Sequence, residues 1–234
     1  MKRLLLLHGY TESGSIFTPL LPLLPLLPPA LPVQLLELPE ALAGWRPEGP
    51  VNVATVARRL VAFYTITAAD VVLGHSMGGW LAAYLKQETG CTAVLLSGFT
   101  SQDRIVSRIR SLGWLRLLTY SGLVQSGWAG ARFKRGYRPA ESRALYHQLV
   151  DDTSRLGRRH LFQQLQVLFA PAPPLTVAPD LRLHARADAI IRPPQEPYVE
   201  ISGDHFGHYF YPGQVVAALA PYLAEAVATG PAGA

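Results

Sequence analysis

Short continuous apolar runs alternate along this chain with stretches of helical spacing. Arg3 to Leu7, Val33 to Leu38, Asp70 to Leu73, Ala93 to Ser97, Leu181 to His184 and Tyr198 to Ile201 are too short for helices, and several end at glycine or proline. Such runs read as strands of a sheet buried on both faces. Val51 to Tyr64 instead places Val53, Val56, Leu60, Val61 and Tyr64 on one side and turns Arg58 and Arg59 outward, the spacing of an amphipathic helix. Met77 to Glu88, closed by Gly90, and about Gly213 to Val227, interrupted mildly at Pro221, predict two more helices. Strands alternating with helices predict an α/β fold built on a doubly wound parallel sheet.

Two stretches break the alternation. Pro19, Pro22, Pro25, Pro28, Pro29 and Pro32 stand among leucines, a spacing that cannot sit inside a regular α-helix. A helical turn near Pro19 followed by extended, packed chain is expected there, in preference to an exposed polyproline ligand. From Ser101 to about Phe169 the strand pattern lapses and helical patterns take over, as at Ile105, Ile109, Leu112 and Leu115. The expected division is a core of residues 1–100 and 170–234 with a helical cap of residues 101–169. The tail from Gly230 to Ala234 reads as a frayed end.

The lone Cys91 permits no intrachain disulfide and no metal-site spacing. The leucines after Arg3 stop at His8, short of the ~7–15 apolar residues of a secretion signal. No run approaches the roughly 20 apolar residues of a membrane span. A soluble cytoplasmic protein is expected. Its formal net charge is +5, and Arg104 to Arg159 holds eleven arginines and one lysine against Glu141, Asp151 and Asp152. Such a surface raises encounter with anionic partners: an acidic acyl carrier protein, a coenzyme A thioester or a substrate carboxylate would fit. No nucleic-acid recognition motif accompanies the charge.

Gly74-His75-Ser76-Met77-Gly78 lies between a predicted strand and a predicted helix. In that context the two glycines allow a tight, strained turn with Ser76 exposed at its tip, and the bland alternative is a serine that caps the helix. In open α/β sheets, ligands bind beyond the carboxyl ends of the strands. His8-Gly9-Tyr10, Ser76, the loop after Leu183 and the loop after Ile201 all fall there. A serine nucleophile needs a base, an acid to orient it and donors for an oxyanion. Of the seven histidines, His205 and His208 on the last such loop are the best placed to serve as base. Asp188 suits the acid, and Asp204 is expected to shape the loop. Cys91, at the entry to an apolar strand, is expected to be a packing residue.

Leu4-Leu5-Leu6-Leu7-His8-Gly9-Tyr10, Gly74 to Gly79, Ala185-Arg186-Ala187-Asp188 and Gly203-Asp204-His205-Phe206 together resemble the α/β-hydrolase signature in its order Ser…Asp…His. The chain is most similar to small cap-bearing esterases and thioesterases, such as the carrier-protein methyl ester esterases of biotin synthesis and their relatives in menaquinone synthesis. The resemblance implies a sheet of about six strands, because the chain begins at what is usually the family's third strand. It also implies Ser76 as nucleophile, His205 as base, Asp188 as orienting acid, the backbone amides of Tyr10 and Met77 as oxyanion hole, and no metal or organic cofactor. Activity is then expected to fall as His205 protonates, near the ordinary imidazole range of about 6 to 7. Trp114, Leu118, Trp128 and His208 are candidates for lining an acyl pocket. The helix that relatives usually fit between the acid and the base has no room here, and the runner-up acid that the resemblance implies is Asp103, after the strand ending at Ser97, a position some members of the family use. A ligand-binding protein on the same fold, or a lyase or acyltransferase reusing the triad, is the alternative.

Overall fold

The computed structural model describes residues 3–27 and 31–228. Six parallel strands form one sheet: β1 (Leu4–Leu7), β2 (Val33–Leu36), β3 (Val71–His75), β4 (Thr92–Leu96), β5 (Leu181–His184) and β6 (Val199–Glu200), in the order β2-β1-β3-β4-β5-β6. The helices are α1 (Leu38–Leu42), α2 (Val53–Tyr64), α3 (Met77–Thr89), α4 (Leu112–Tyr120), α5 (Gly127–Gly136), α6 (Arg143–Thr153), α7 (Arg158–Phe169), α8 (Gly207–Phe210) and α9 (Pro212–Ala228). The doubly wound parallel sheet is therefore present, and each apolar run forms a strand within a few residues of its expected bounds. β6 is shortest, for it is an edge strand held only by β5 and comes after Pro197, which has no N–H to donate.

Successive side chains of a strand point to opposite faces, and both faces here are covered. Leu5, Leu7, Val72, Ala93 and Leu95 pack against α1, α2 and α3. Leu4, Leu6, Val71, Leu73, Val94 and Leu96 pack against α9 and the leucines of 16–27. This is why the strands read as continuous apolar runs. Each fully buried leucine contributes about 1.5–3 kcal/mol. Arg3, at the mouth of β1, binds the Asp70 carboxylate through Nε at 3.0 Å and Nη2 at 2.9 Å, tying β1 to the start of β3. α2 opens on a reciprocal Asn52–Thr55 capping box and α3 closes on Gly90 in the left-handed conformation.

The proline-rich stretch departs from expectation. It forms 3₁₀ turns over Gly14–Phe17 and Leu21–Leu26, not one turn followed by extended chain. A 3₁₀ helix has three residues per turn, so prolines at every third position share a side. Pro22 and Pro25 face outward while Leu20, Leu24 and Leu27 are buried in the core. Pro28, Pro29 and the tail from Gly230 lie outside the described residues.

Between β4 and β5 the chain runs through α4 to α7, with an isolated antiparallel bridge between Ile105 and Ile191. α7 anchors this segment through buried Leu161, Leu165, Val167 and Leu168, and Val167 O accepts the Trp80 indole N–H at 3.2 Å. No helix among the described residues is long and apolar enough to cross a membrane.

Candidate active site

The site is built where the strands end. Ser76 joins β3 to α3 with φ 53° and ψ −117°, a conformation costly for any residue with a side chain. Its flanking glycines make the turn possible by close approach. A Cβ on Gly74 would lie 2.2 Å from Gly78 O, and one on Gly78 would lie 2.1 Å from Leu7 O. The Ser76 side chain makes no capping hydrogen bond to α3, so the bland reading of a helix-cap serine does not hold. Among the described residues the amides of Met77 and Tyr10 donate to no protein acceptor. Met77 N–H stands at the positive end of the α3 dipole, where negative charge is favoured.

His205 lies on the loop after β6, and its Nδ1 donates to Asp188 Oδ2 at 2.8 Å. That bond leaves Nε2 as the basic nitrogen. Asp188 is itself fastened, since Oδ1 accepts the amides of Ile190 and Ile191 at 2.8 Å each, and His184 Nε2 lies 3.3 Å from Oδ2. Burial alone would push this carboxyl up. The neighbouring His205, the hydrogen bonds from His184 and His205 and the Ile191 amide together hold it well below the usual carboxylate range. The amides at the start of the short Ile190–Pro197 stretch thus clamp the Asp188 carboxylate directly. Asp103 sits exposed on a 3₁₀ turn, bonded to Ser101 Oγ and away from His205. Asp204 shapes its loop, accepting from Phe206 N at 3.0 Å and Ser142 Oγ at 2.5 Å. Burial pushes the Cys91 thiol up to about 11, the behaviour of a packing residue.

Ser76, His205 and Tyr10 line one cavity of about 490 Å³, within the range of small-molecule sites. Ser76 and His205 are not hydrogen-bonded to each other, a looseness common before substrate binds. The rest of the wall is mostly apolar, with Val106, Phe133, Tyr146, Leu149, Val150 and Ile190 prominent. Trp114, Leu118, Trp128 and His208 do not line it, contrary to expectation. α4 buries Leu115 and Thr119, so Trp114 on its opposite face is 62% exposed, and Leu118 is half-buried beside that inner face. α5 packs on α6 and leaves Trp128 71% exposed. His208 is buried behind the cavity, its ring centroid 4.1 Å from that of His75 and 5.9 Å from that of Phe17. Apolar character marked these residues, but helix orientation decides which apolar side chains meet the cavity.

Glu12 belongs to the site without having stood out in the sequence. It is buried, with Oε2 accepting Gly9 N–H at 2.6 Å and lying 2.9 Å from His75 Nδ1. The only sequence signal is a carboxylate three residues past Gly9, which any surface loop could carry.

The model of the alpha/beta hydrolase family matches residues 4–227 of this chain. No curated protein matches it in sequence. Among solved structures it is similar to a hydrolase from Oleispira antarctica, at 12% identity and TM-score 0.69 over 98% of this chain and 92% of that one. It is also similar to a peroxisomal alpha-beta-hydrolase of Saccharomyces cerevisiae, at 17% identity and TM-score 0.65 over 100% and 79%. A thermophilic esterase from Thermogutta terrifontis aligns at 17% identity and TM-score 0.58 over 97% and 90%. At such identities the likeness is one of fold.

Proposed function

Because the chain belongs to the alpha/beta hydrolase family, we propose that it is a serine hydrolase cleaving carboxylic esters or thioesters through an acyl-enzyme. One observation carries this reading: His205 Nδ1 stands 2.8 Å from the buried Asp188 carboxylate while the same residue shares a cavity with strained Ser76. Ser76 Oγ attacks the acyl carbon as His205 Nε2 takes its proton. Asp188 holds the imidazole in that tautomer and stabilises the imidazolium. The carbonyl oxygen becomes an oxyanion that accepts from the amides of Tyr10 and Met77, and losing one such donor typically costs about 3 kcal/mol. His205 returns the proton to the departing alcohol or thiol, then draws one from a water whose oxygen attacks the acyl carbon and gives it to Ser76 Oγ as the acid leaves. These steps call on no cofactor.

The helical segment 101–169 acts as a cap, its Val106, Phe133, Tyr146 and Leu149 giving the acyl group an apolar wall. Arg104 to Ala140 contains eight cations and no carboxylate. That imbalance favours an acyl substrate bearing negative charge, either its own or that of an acyl carrier protein or coenzyme A. A cytoplasmic location accords with such partners.

Hydrolysis of p-nitrophenyl esters from acetate to dodecanoate, by the wild type and Ser76→Ala, tests the reading. Turnover lost in Ser76→Ala supports the nucleophile, and the optimal chain length sizes the cavity. No turnover of any ester, with a serine-directed phosphonate also leaving Ser76 unlabelled, would sink it.

A further inference from the structure

One cluster of buried titratable groups takes no part in that reaction. His75 ends β3, immediately before Ser76, and is fully buried. Its Nδ1 lies 2.9 Å from Glu12 Oε2 and its Nε2 lies 3.0 Å from the main-chain carbonyl oxygen of His205. A neutral imidazole has one N–H. With an ionised Glu12, both partners are acceptors only, and a neutral ring would set a bare nitrogen against one of them. Glu12 Oε2 also accepts Gly9 N–H at 2.6 Å, and two N–H donors converging on one buried oxygen favour the carboxylate.

From this geometry we infer that Glu12 and His75 form a buried carboxylate–imidazolium pair that positions the oxyanion loop and the base loop around Ser76. The pair touches all three segments of the site. Gly9, fastened to Glu12, directly precedes Tyr10, whose amide is the oxyanion donor. A Cβ on Gly9 would lie 2.8 Å from Glu12 Oε2 and 3.0 Å from Ser76 Cβ, so this loop passes in contact with both. His205 is held at two points, its ring by Asp188 and its carbonyl by His75.

The surroundings suit a cation at His75. Glu12 faces it from the loop after β1 and Asp188 acts on it from the loop after β5. The rings of His205, His208 and Phe206 lie at 4.8, 4.1 and 5.8 Å from its own, and of these the Phe206 ring attracts a cation. Burial works against the charge on His75, but Glu12 and the His205 carbonyl outweigh it and raise its basicity. The pair also bears on His208, whose ring nitrogens lack a well-formed hydrogen bond among the described residues, although the Ile16 backbone favours its charged form. Burial, together with positive charge at His75, outweighs that and holds it well below the ordinary imidazole range, so it remains a neutral ring against His75. The kinetic consequence rests on the hydrolase reading, whereas the charge on His75 does not.

Nitrogen-15 histidine NMR of the whole protein at pH 8 reads that charge. The expected result is two ring N–H signals for His75, assigned by their loss in His75→Gln, and one ring N–H in Glu12→Gln. Glu12→Gln should lower kcat about 10²-fold through misplaced groups, leave KM within about threefold and shift the amide resonances of Gly9 and Tyr10. A single ring N–H on wild-type His75 at pH 8 overturns the ion pair. Two ring N–H signals with unchanged kcat and unchanged Gly9 and Tyr10 resonances in Glu12→Gln overturn the positioning role. If Glu12→Gln does not fold, His75→Gln, which keeps a donor but not the cation, decides by the same kcat and amide-shift criteria. Failure of the hydrolase reading shows separately, as absent ester turnover and an unlabelled Ser76, while the spectra still decide the pair.

Discussion

Asp188→Asn removes one charge and almost no volume, and the contacts of the carboxylate dictate its effect. An asparagine can face its oxygen only one way. With Oδ1 kept toward the amides of Ile190 and Ile191, now 2.8 Å from Asp188 Oδ1, the NH₂ group meets His205 Nδ1 and His184 Nε2. With the amide flipped, two buried backbone N–H groups lose their acceptor, at about 1–3 kcal/mol each. The first arrangement wins, because His205 escapes its clash cheaply by moving its proton to Nε2. In the proposed mechanism that proton then faces Ser76, and the base is gone. The expected loss in kcat is about 10³–10⁴-fold, or roughly 4–5.5 kcal/mol of transition-state stabilisation, with KM little changed. Steady-state kinetics on the best p-nitrophenyl ester, alongside Asp103→Asn, provides the assay. Asp103→Asn should stay within about twofold, since its side chain bonds only Ser101 within the described residues. A loss below tenfold in Asp188→Asn, or an equal loss in Asp103→Asn, would refute the reasoning. The Asp188 carboxyl is held below its ordinary value when folded. Its contribution to stability is therefore present above the unfolded value near 4 and disappears only as pH falls through the lower folded value. Asp188 should not shape the rate profile above about pH 5.

Two further outcomes test the fold beneath the site. Gly78→Ala, whose Cβ would lie 2.1 Å from Leu7 O, should destabilise by more than about 3 kcal/mol or prevent folding, read by thermal melting; a melting temperature within about 2–3 °C of wild type (roughly 1 kcal/mol or less for a chain of this size) would show that strand and helix can part at the elbow. Arg3→Gln strands the buried Asp70 carboxylate, which burial pushes up but the Arg3 and Thr67 contacts hold below its ordinary value. The loss should be about 1–3 kcal/mol at pH 7, discounted for the partial exposure of Arg3. Because Asp70 is depressed when folded, this contribution is present above about pH 4 and is lost as pH falls through its folded value. Urea titrations should show the wild-type advantage shrinking toward pH 3, and a gap independent of pH would contradict the assignment.

Much of the fold is legible locally. A parallel strand covered on both faces must be apolar at nearly every position, so Leu4–Leu7, Val71–Leu73 and residues 93–96 announce themselves as short unbroken runs. Gly74 and Gly78 around Ser76 are equally local, for the close approach that forbids a Cβ arises within one strand–turn–helix unit and its neighbour. Strand ends also place Asp188 and His205 on the rim where chemistry can occur. The proline period likewise points to a turn near Pro19, although three residues per turn, and not extended chain, is the geometry that satisfies it. Tertiary structure alone decides the remainder. The choice of Asp188 over Asp103 depends on which strand-end loop reaches His205, a distance between segments that neither sequence segment encodes. Trp114 and Trp128 are as apolar as Phe133 and Tyr146, yet the rotations of α4, α5 and α6 put the first pair in solvent and the second against the cavity. Glu12 is the sharpest case. A carboxylate in a loop reads as solvated until the fold brings His75 to it, because burial of a charge is set by its partners and the decisive partner comes from another strand.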